Sequence, residues 1–203
     1  KLTTYYHGSD IPELPGNNTF HSIELFHIYE ATPGYTPLLI VASEAEKPVA
    51  KLLAAVRKSA RLFPPAIIKR CEVYGTGEYF DETIDKEFVF GEMLQRLTAE
   101  ALREAFLIEF RNLENSLFGY KSFRKNHYFA INWLRNSLHS IEHVESRFSP
   151  SRIRQIKKGL KNGAEVKEAH TPEEVHAFSQ MLHHVYSSKI RRHFPSRVFF
   201  LRM

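Results

Sequence analysis

Two apolar runs stand almost back to back, Thr36 to Ser43 and Pro48 to Arg61. Only Glu44-Ala45-Glu46-Lys47, which reads as a turn, lies between them. This pair constrains the fold more than any other feature. The longest apolar runs fall far short of the roughly 20 residues that cross a bilayer, so they belong in a globular core. The first run is compact and fits a buried strand. The second admits two readings. Leu52, Leu53, Val56 and Ala60 have helical spacing, and its Ala, Leu, Lys and Arg favour helix. Its position between two strands favours one long strand, and that assignment is adopted. Pro64-Pro65 break the chain. Ala66 to Tyr74 then reads as a strand with Ile67, Cys71 and Val73 on one side.

Composition bounds the class. The 203 residues are 43% hydrophobic and 25% charged, ordinary globular usage that argues against a disordered chain or a fibrous repeat. The length allows one large domain or two small ones. The single cysteine, Cys71, excludes an internal disulfide and any multi-thiolate metal site. A reducing, cytoplasmic setting is the default expectation. Cys71 itself reads as a small, half-buried strand residue.

Further elements follow from periodicity and breakers. The first 19 residues, with Gly8, Pro12, Pro15, Gly16 and Asn17-Asn18, read as loop. Ser22 to Ala31 is an amphipathic helix stopped by Pro33-Gly34. Asp85 to Glu104 is the clearest helix, with Phe90, Met93, Leu94, Leu97, Ala101 and Ala105 on one face. Phe106 to Leu113 and His127 to Leu134 read as strands, with a loop at Gly119 to Arg124 between them. Ser149-Pro150 open a basic helix that Asn162-Gly163 close. Ala164 to Ala169 is a short strand, and Thr171-Pro172-Glu173-Glu174 starts another helix. Strands and helices in this order make an α+β or mixed-sheet α/β domain. The expected division is a loop segment over 1–19, a domain over 20–190 and the start of a further element over 191–203.

The charge is uneven. Residues 1–146 carry a net charge of −3 and residues 147–203 a net charge of +8. Six cations and no carboxylate lie between Arg147 and Lys161. On a helix, Arg154, Lys157, Lys158 and Lys161 share one face, with Ile153, Ile156 and Leu160 in a separate apolar stripe. The helix could therefore dock on a core and hold a row of cations outward. Such a row suits a pyrophosphate, an RNA backbone or an anionic lipid head group. It also serves as an ordinary solvated face. Lys189, Arg191, Arg192 and Arg197 form a second basic cluster.

Other constellations carry less. Gly75 and Gly77 flank Thr76 after a strand and before a helix, where backbone amides could approach an anion; a plain turn is the alternative. Dinucleotide and P-loop fingerprints are absent. His139 and His143 are four apart and His183-His184 adjacent, but no third ligand accompanies them, so no metal site is assigned. Tyr120, Phe123, Tyr128 and Phe129 interleave with Lys121, Arg124 and Lys125. That pattern suits single-stranded nucleic acid or, more often, core rings at a loop–strand transition.

The stretch "SPSRIRQIKKGLKNGAEVKEAHTPEEVHAFSQMLHHVYSSK" resembles the FemAB-like branch of the GNAT (acyl-CoA N-acyltransferase) superfamily. The matching positions are Arg152 or Arg154, Ile156, Lys157, Lys161, Gly163 and Val166, then Thr171, Glu174 and Val175. The "IEFRNL" strand at Ile108 to Leu113 and the Gly75-Thr76-Gly77 turn are also similar to the family's first half. The resemblance implies a GNAT-like mixed, mostly antiparallel sheet flanked by helices. It implies transfer of an aminoacyl or acyl group to an amine, with acyl-CoA or aminoacyl-tRNA as donor. The expected partners are tRNA, a phosphate-bearing precursor or an anionic membrane surface, and a second GNAT-like half not contained in these residues. The resemblance identifies no catalytic residue. The acetyl-CoA pyrophosphate signature [RQ]-x-x-G-x-[GA] is not present. Arg154, Lys157, Lys158, Lys161, Lys189 and Arg191 are the expected substrate or anion contacts. The rival reading is a non-catalytic module that binds RNA or another anionic partner through the basic helix, by Arg154, Lys157, Lys158 and Lys161.

Overall fold

A computed structural model describes residues 1–58, 69–112, 118–129, 146, 148–190, 194 and 196–202. Two compact units are present: residues 1–129 together with 172–203, and residues 130–171. The first unit is built on one six-stranded mixed sheet. β1 (Leu2–Tyr5), β2 (Tyr35–Glu44), β3 (Lys47–Lys58) and β4 (Lys69–Tyr74) pair antiparallel in that order, and β6 (Leu107–Arg111) lies parallel to β4. The short β5 (Glu78–Tyr79) shares the β4 edge of β3. The architecture is thus a mostly antiparallel sheet flanked by helices, as the sequence suggested.

β2 and β3 are buried on both faces, which explains their near-continuous apolar character. Leu38, Ile40, Leu52, Ala54 and Val56 face one core with Cys71 and Val73. Helix α2 (Lys86–Ala101) closes that core with Met93, Leu97 and Ala101. The alternate residues Leu39, Val41, Leu53 and Ala55 face a second core, closed by Phe26 and Tyr29 of α1 (Ile23–Ala31). The helical spacing of Leu52, Leu53 and Val56 is therefore what a strand with two buried faces produces by chance; residues 59–61 of that expected strand and 66–68 of the next lie outside the described residues.

Local chemistry sets the element ends. Ser22 caps α1 by accepting the Leu25 amide at 3.1 Å, and Asp85 caps α2 by accepting the Phe88 amide at 3.0 Å. The stretch read as loop over 1–19 contains β1, which pairs with β2 from Leu2↔Ala42 to Tyr5↔Leu39. The stretch read as loop at Gly119–Arg124 forms α3 (Tyr120–Lys125). Glu87 of α2 causes this by accepting the Gly119 amide at 2.8 Å and the Ser122 amide at 3.0 Å. Gly119 has φ +78°, and a Cβ there would lie 2.8 Å from the Phe90 ring, so glycine is required. Phe123 and Tyr128 pack edge-on against Phe110, in line with the core reading of those two rings, whereas Tyr120 and Phe129 are exposed and do not join the core. Residues 127–129 are not in a strand, and residues 130–134 of the expected strand lie outside the described residues.

In the second unit, α4 (Pro150–Lys161) begins at Ser149, whose Oγ accepts the Arg152 amide at 3.3 Å. Gly163 follows with φ +77°, the left-handed residue expected after a helix end. The expected strand at Ala164–Ala169 does not form: Val166 is fully exposed and Lys167 pairs with Glu165. α4 buries none of its own residues, so the core expected beneath Ile153, Ile156 and Leu160 is missing among the described residues. In the first unit, α5 (Pro172–Val185) runs into a π-helical turn at Tyr186–Ile190. α6 (Arg197–Arg202) places Phe199 against Tyr29 and Tyr35.

The β2–β3 hairpin turns through Ala45 (φ 45°) and Glu46 (φ 69°), with Glu44 opposite Lys47. Two non-glycine residues therefore hold the left-handed conformations of a two-residue turn. Replacing them together, Ala45→Asn with Glu46→Gly, is expected to stabilise the protein by about 1 kcal/mol. Thermal unfolding should register this as a rise of about 3 °C.

Candidate active site at the carboxyl end of the parallel strands

In open α/β sheets, ligands bind outside the carboxyl ends of parallel strands, where neighbouring chains diverge. β4 and β6 are the parallel pair here. They stay paired to Tyr74↔Arg111, and the Gly75 amide donates to the Arg111 carbonyl at 3.0 Å. Beyond that bond the β4 chain turns through Gly75–Gly77 and returns to β3 as β5; β6 ends at Arg111, and residues 113–117 lie outside the described residues.

A polar cluster occupies this end of the sheet. Alternation along β4 puts Cys71 and Val73 in the core and Glu72 and Tyr74 on the other face; along β6, Glu109 and Arg111 lie opposite Ile108 and Phe110. Glu72 Oε1 accepts from Arg57 Nη2 at 2.6 Å and from Arg111 Nη2 at 3.3 Å. Arg111 also donates Nη1 to the Tyr74 hydroxyl at 2.8 Å and Nε to Glu109 at 3.0 Å. Its guanidinium lies over the Tyr74 ring, and Phe20 stacks on that ring with centroids 5.3 Å apart. Phe20 and Arg111 remain partly open, with the Arg111 side chain 42% exposed. Tyr35 lies toward Arg57, and its phenol is pushed up to about 12 by burial. Cys71 is buried behind the same strand, its thiol raised to about 12 by burial and then by Glu72. It is not an activated nucleophile.

The loop before α1 is strapped over this end. Lys51, buried in β3, donates to the Pro15 carbonyl at 2.8 Å and pairs with Glu78 Oε2 at 3.1 Å. Glu78 Oε1 accepts the Asn17 and Asn18 amides at 2.7 and 2.9 Å. Burial alone would raise the Glu78 carboxyl, but those amides and Lys51 hold it below its usual range. The strap delivers Phe20 to Tyr74 and His21 into the sheet. The Gly77 amide points at His21 Nε2 at 3.1 Å and the Leu53 amide at Nδ1 at 3.2 Å. The ring thus fills the interruption between the β4 and β5 pairings. A neutral imidazole accepts at one nitrogen only, so one of these amides faces the ring's own N–H.

The sequence-derived site residues fall elsewhere or are already engaged. The amides of Gly75 and Gly77 are committed to Arg111 and His21, so that turn holds a histidine and not free amides. Arg154, Lys157, Lys158 and Lys161 lie exposed on α4 in the second unit, and Lys189 lies exposed in the π-helical turn of the first. Arg191 lies outside the described residues, as do Arg192, His139 and His143. No group of three or more His, Cys, Asp or Glu is placed to hold a metal among the described residues. The cluster of Arg57, Glu72, Tyr74 and Arg111 escaped sequence reasoning. Its available signal was the polar member of each alternating pair in β4 and β6. Lys51, a cation set between Ala50 and Leu52, was a second signal.

A shallow open depression of about 690 Å³ lies where β2 and β3 meet the start of α2, lined in part by Lys1, Ser43, Glu44, Asp85 and Glu92. The connection from β4 to α2 carries Glu78, Asp81, Glu82 and Asp85 and no cation. The amino end of α2 is capped by its own Asp85.

No family model matches the chain, and no curated protein matches it. Solved structures similar to it include an aminoglycoside acetyltransferase from an uncultured soil metagenomic sample, in complex with sisomicin. That likeness is at 9% identity and TM-score 0.46, over 70% of this chain and 95% of that one. Another is glucosamine-6-phosphate N-acetyltransferase from Arabidopsis thaliana, at 10% identity and TM-score 0.42, over 69% and 99% of the two chains. A third is ribosomal-protein-alanine N-acetyltransferase from Brucella melitensis biovar Abortus 2308, at 10% identity and TM-score 0.38, over 51% and 71%.

Two outcomes follow from this geometry. Burial pushes the His21 imidazole from its usual 6.5 down to about 4, with Glu78 opposing the shift and Lys51 adding to it. The folded state therefore disfavours the proton. The stability contributed here is complete above about pH 6.5 and drains as pH falls toward about 4. Urea unfolding at pH 7.5 and pH 5 should differ by about 2 kcal/mol through this group, a difference that His21→Gln removes. Glu72→Gln leaves Arg57 and Arg111 without their shared carboxylate and should cost about 3 kcal/mol in the same assay. Converting the buried pair together, Arg57→Met with Glu72→Leu, should recover much of that loss.

Proposed function

We propose that this protein is an N-acyltransferase of the GNAT type, from the FemAB-like branch, moving an aminoacyl or acyl group to an amine. The observation that carries the reading is the parallel β4–β6 pair within an otherwise antiparallel sheet. α2 joins the two strands, and their paired register runs to Tyr74↔Arg111, where the polar cluster lies. The motif resemblance over residues 150–175 supports the same class.

The chemistry is attack of an amine nitrogen on an activated acyl carbonyl. The new C–N bond forms, the C–O or C–S bond to the donor breaks, and the attacking amine loses a proton to solvent while the leaving atom gains one. Charge develops on the carbonyl oxygen and on the leaving atom, so fixed donors there lower the barrier. The Tyr74 hydroxyl accepts from Arg111, which leaves its own hydrogen free to donate outward. Tyr74 is the proton donor to the leaving atom in this reading, and Arg111 is the positioning residue that holds it.

The donor is an aminoacyl-tRNA ester in preference to acyl-CoA. A pyrophosphate placed after β4 would meet the carboxylates of Glu78, Asp81 and Glu82 and a helix end already occupied by Asp85. Incubating the protein with labelled aminoacyl-tRNA and, in parallel, labelled acetyl-CoA, each with a panel of amines, tests this. Transfer from the ester is expected, with Tyr74→Phe lowering kcat about 10- to 100-fold at near-constant KM. Absence of both transfer and donor binding with either donor would overturn the reading.

A further inference from the structure

We infer that α4 is a peripheral docking element for an anionic lipid bilayer. Its five cations, Arg152, Arg154, Lys157, Lys158 and Lys161, have no carboxylate among them in sequence. Among the described residues none of the five forms an ion pair. The apolar residues are open to solvent as well: Ile153, Ile156 and Leu160 are 36%, 41% and 65% exposed. At about 100° per residue, these three fall within an arc of about 60°. Arg152 and Lys157 stand about 40° beyond either edge of that arc, and Arg154, Lys158 and Lys161 complete the polar side.

This order around the helix selects the partner. An RNA backbone would neutralise the cations and leave the apolar stripe between Arg152 and Lys157 in water. A bilayer with anionic head groups takes both. The stripe enters the boundary between head groups and acyl chains, while the flanking cations reach back to phosphates along their aliphatic stems. A helix of 12 residues is about 18 Å long, too short to cross a hydrocarbon core of about 30 Å, so it lies in the surface plane. Three apolar residues give a weak anchor, so attachment depends on lipid charge and is reversible.

Co-sedimentation of the whole protein with vesicles tests this. One set is pure phosphatidylcholine, and a second contains about one-third phosphatidylglycerol. A third arm adds unfractionated tRNA to the anionic vesicles. Binding to the anionic vesicles alone is expected, weakening as salt rises. Arg152→Gln with Lys157→Gln should lower the partition coefficient about 30-fold. Ile156→Ser with Leu160→Ser, which leaves the charge unchanged, should lower it about tenfold. Since all four side chains are exposed, unchanged circular dichroism and melting temperature verify that the variants fold. The proposal is overturned if anionic vesicles do not retain the protein, or if the apolar double variant binds them as well as the parent. Release by tRNA at equal phosphate, with tRNA binding insensitive to the apolar change, would instead assign the helix to RNA.

Discussion

β3 is the strand on which the rest of the first unit depends. One edge carries β2 along its length; the other carries β4 and then β5. Both faces are buried, so its alternate residues serve two cores at once. Any polar group on such a strand must find its partner within the protein. Lys51 and the Leu53 amide are the groups in that position. Their partners, Glu78, Pro15 and His21, come from the strap and the interruption beyond β4. The requirement to satisfy β3 thus fixes the path of the loop before α1, and that path brings Phe20 over Tyr74.

The parallel pair follows from the same arrangement. α2 closes the core beneath β2 and β3, and a chain returning from α2 reaches the free edge of β4 in the direction β4 runs. Arg111 then arrives beside Glu72 and Tyr74, at a place where Arg57 already presents a half-buried charge. Two guanidiniums sharing one carboxylate would be costly if the group were sealed. Here Arg111 stays partly in water and has Glu109 as a second anion. The cluster is close to neutral as a whole, while one of its edges stays open to a ligand.

Much of the layout was legible from hydrophobic pattern and local caps. The burial of β2 and β3, the face of α2, and the ends of α1 and α4 all follow from residues within a few positions of one another. What escaped was set by distant partners. α3 forms because Glu87, more than thirty residues earlier, caps it. β1 forms because the edge of β2 is available to it, and a four-residue strand has too little pattern to reveal itself. Ala164–Ala169 failed for the converse reason: an alternating stretch needs an edge to join. The cluster at the candidate site was hidden in the same way. Arg57, Glu72 and Arg111 are ordinary surface residues by type, and only the strand register brings them to a single carboxylate.

Cys71 gives the molecule a built-in reporter. It is the protein's sole thiol and has no accessible surface; it pairs with Val56 on one side and Ile108 on the other. A reagent that consumes thiolate can reach it only when α2 lifts from that face or the sheet itself opens. The rate of its modification therefore clocks that opening, without a label or an engineered cysteine. β4 carries part of the candidate site on one face and a measure of the core's rigidity on the other.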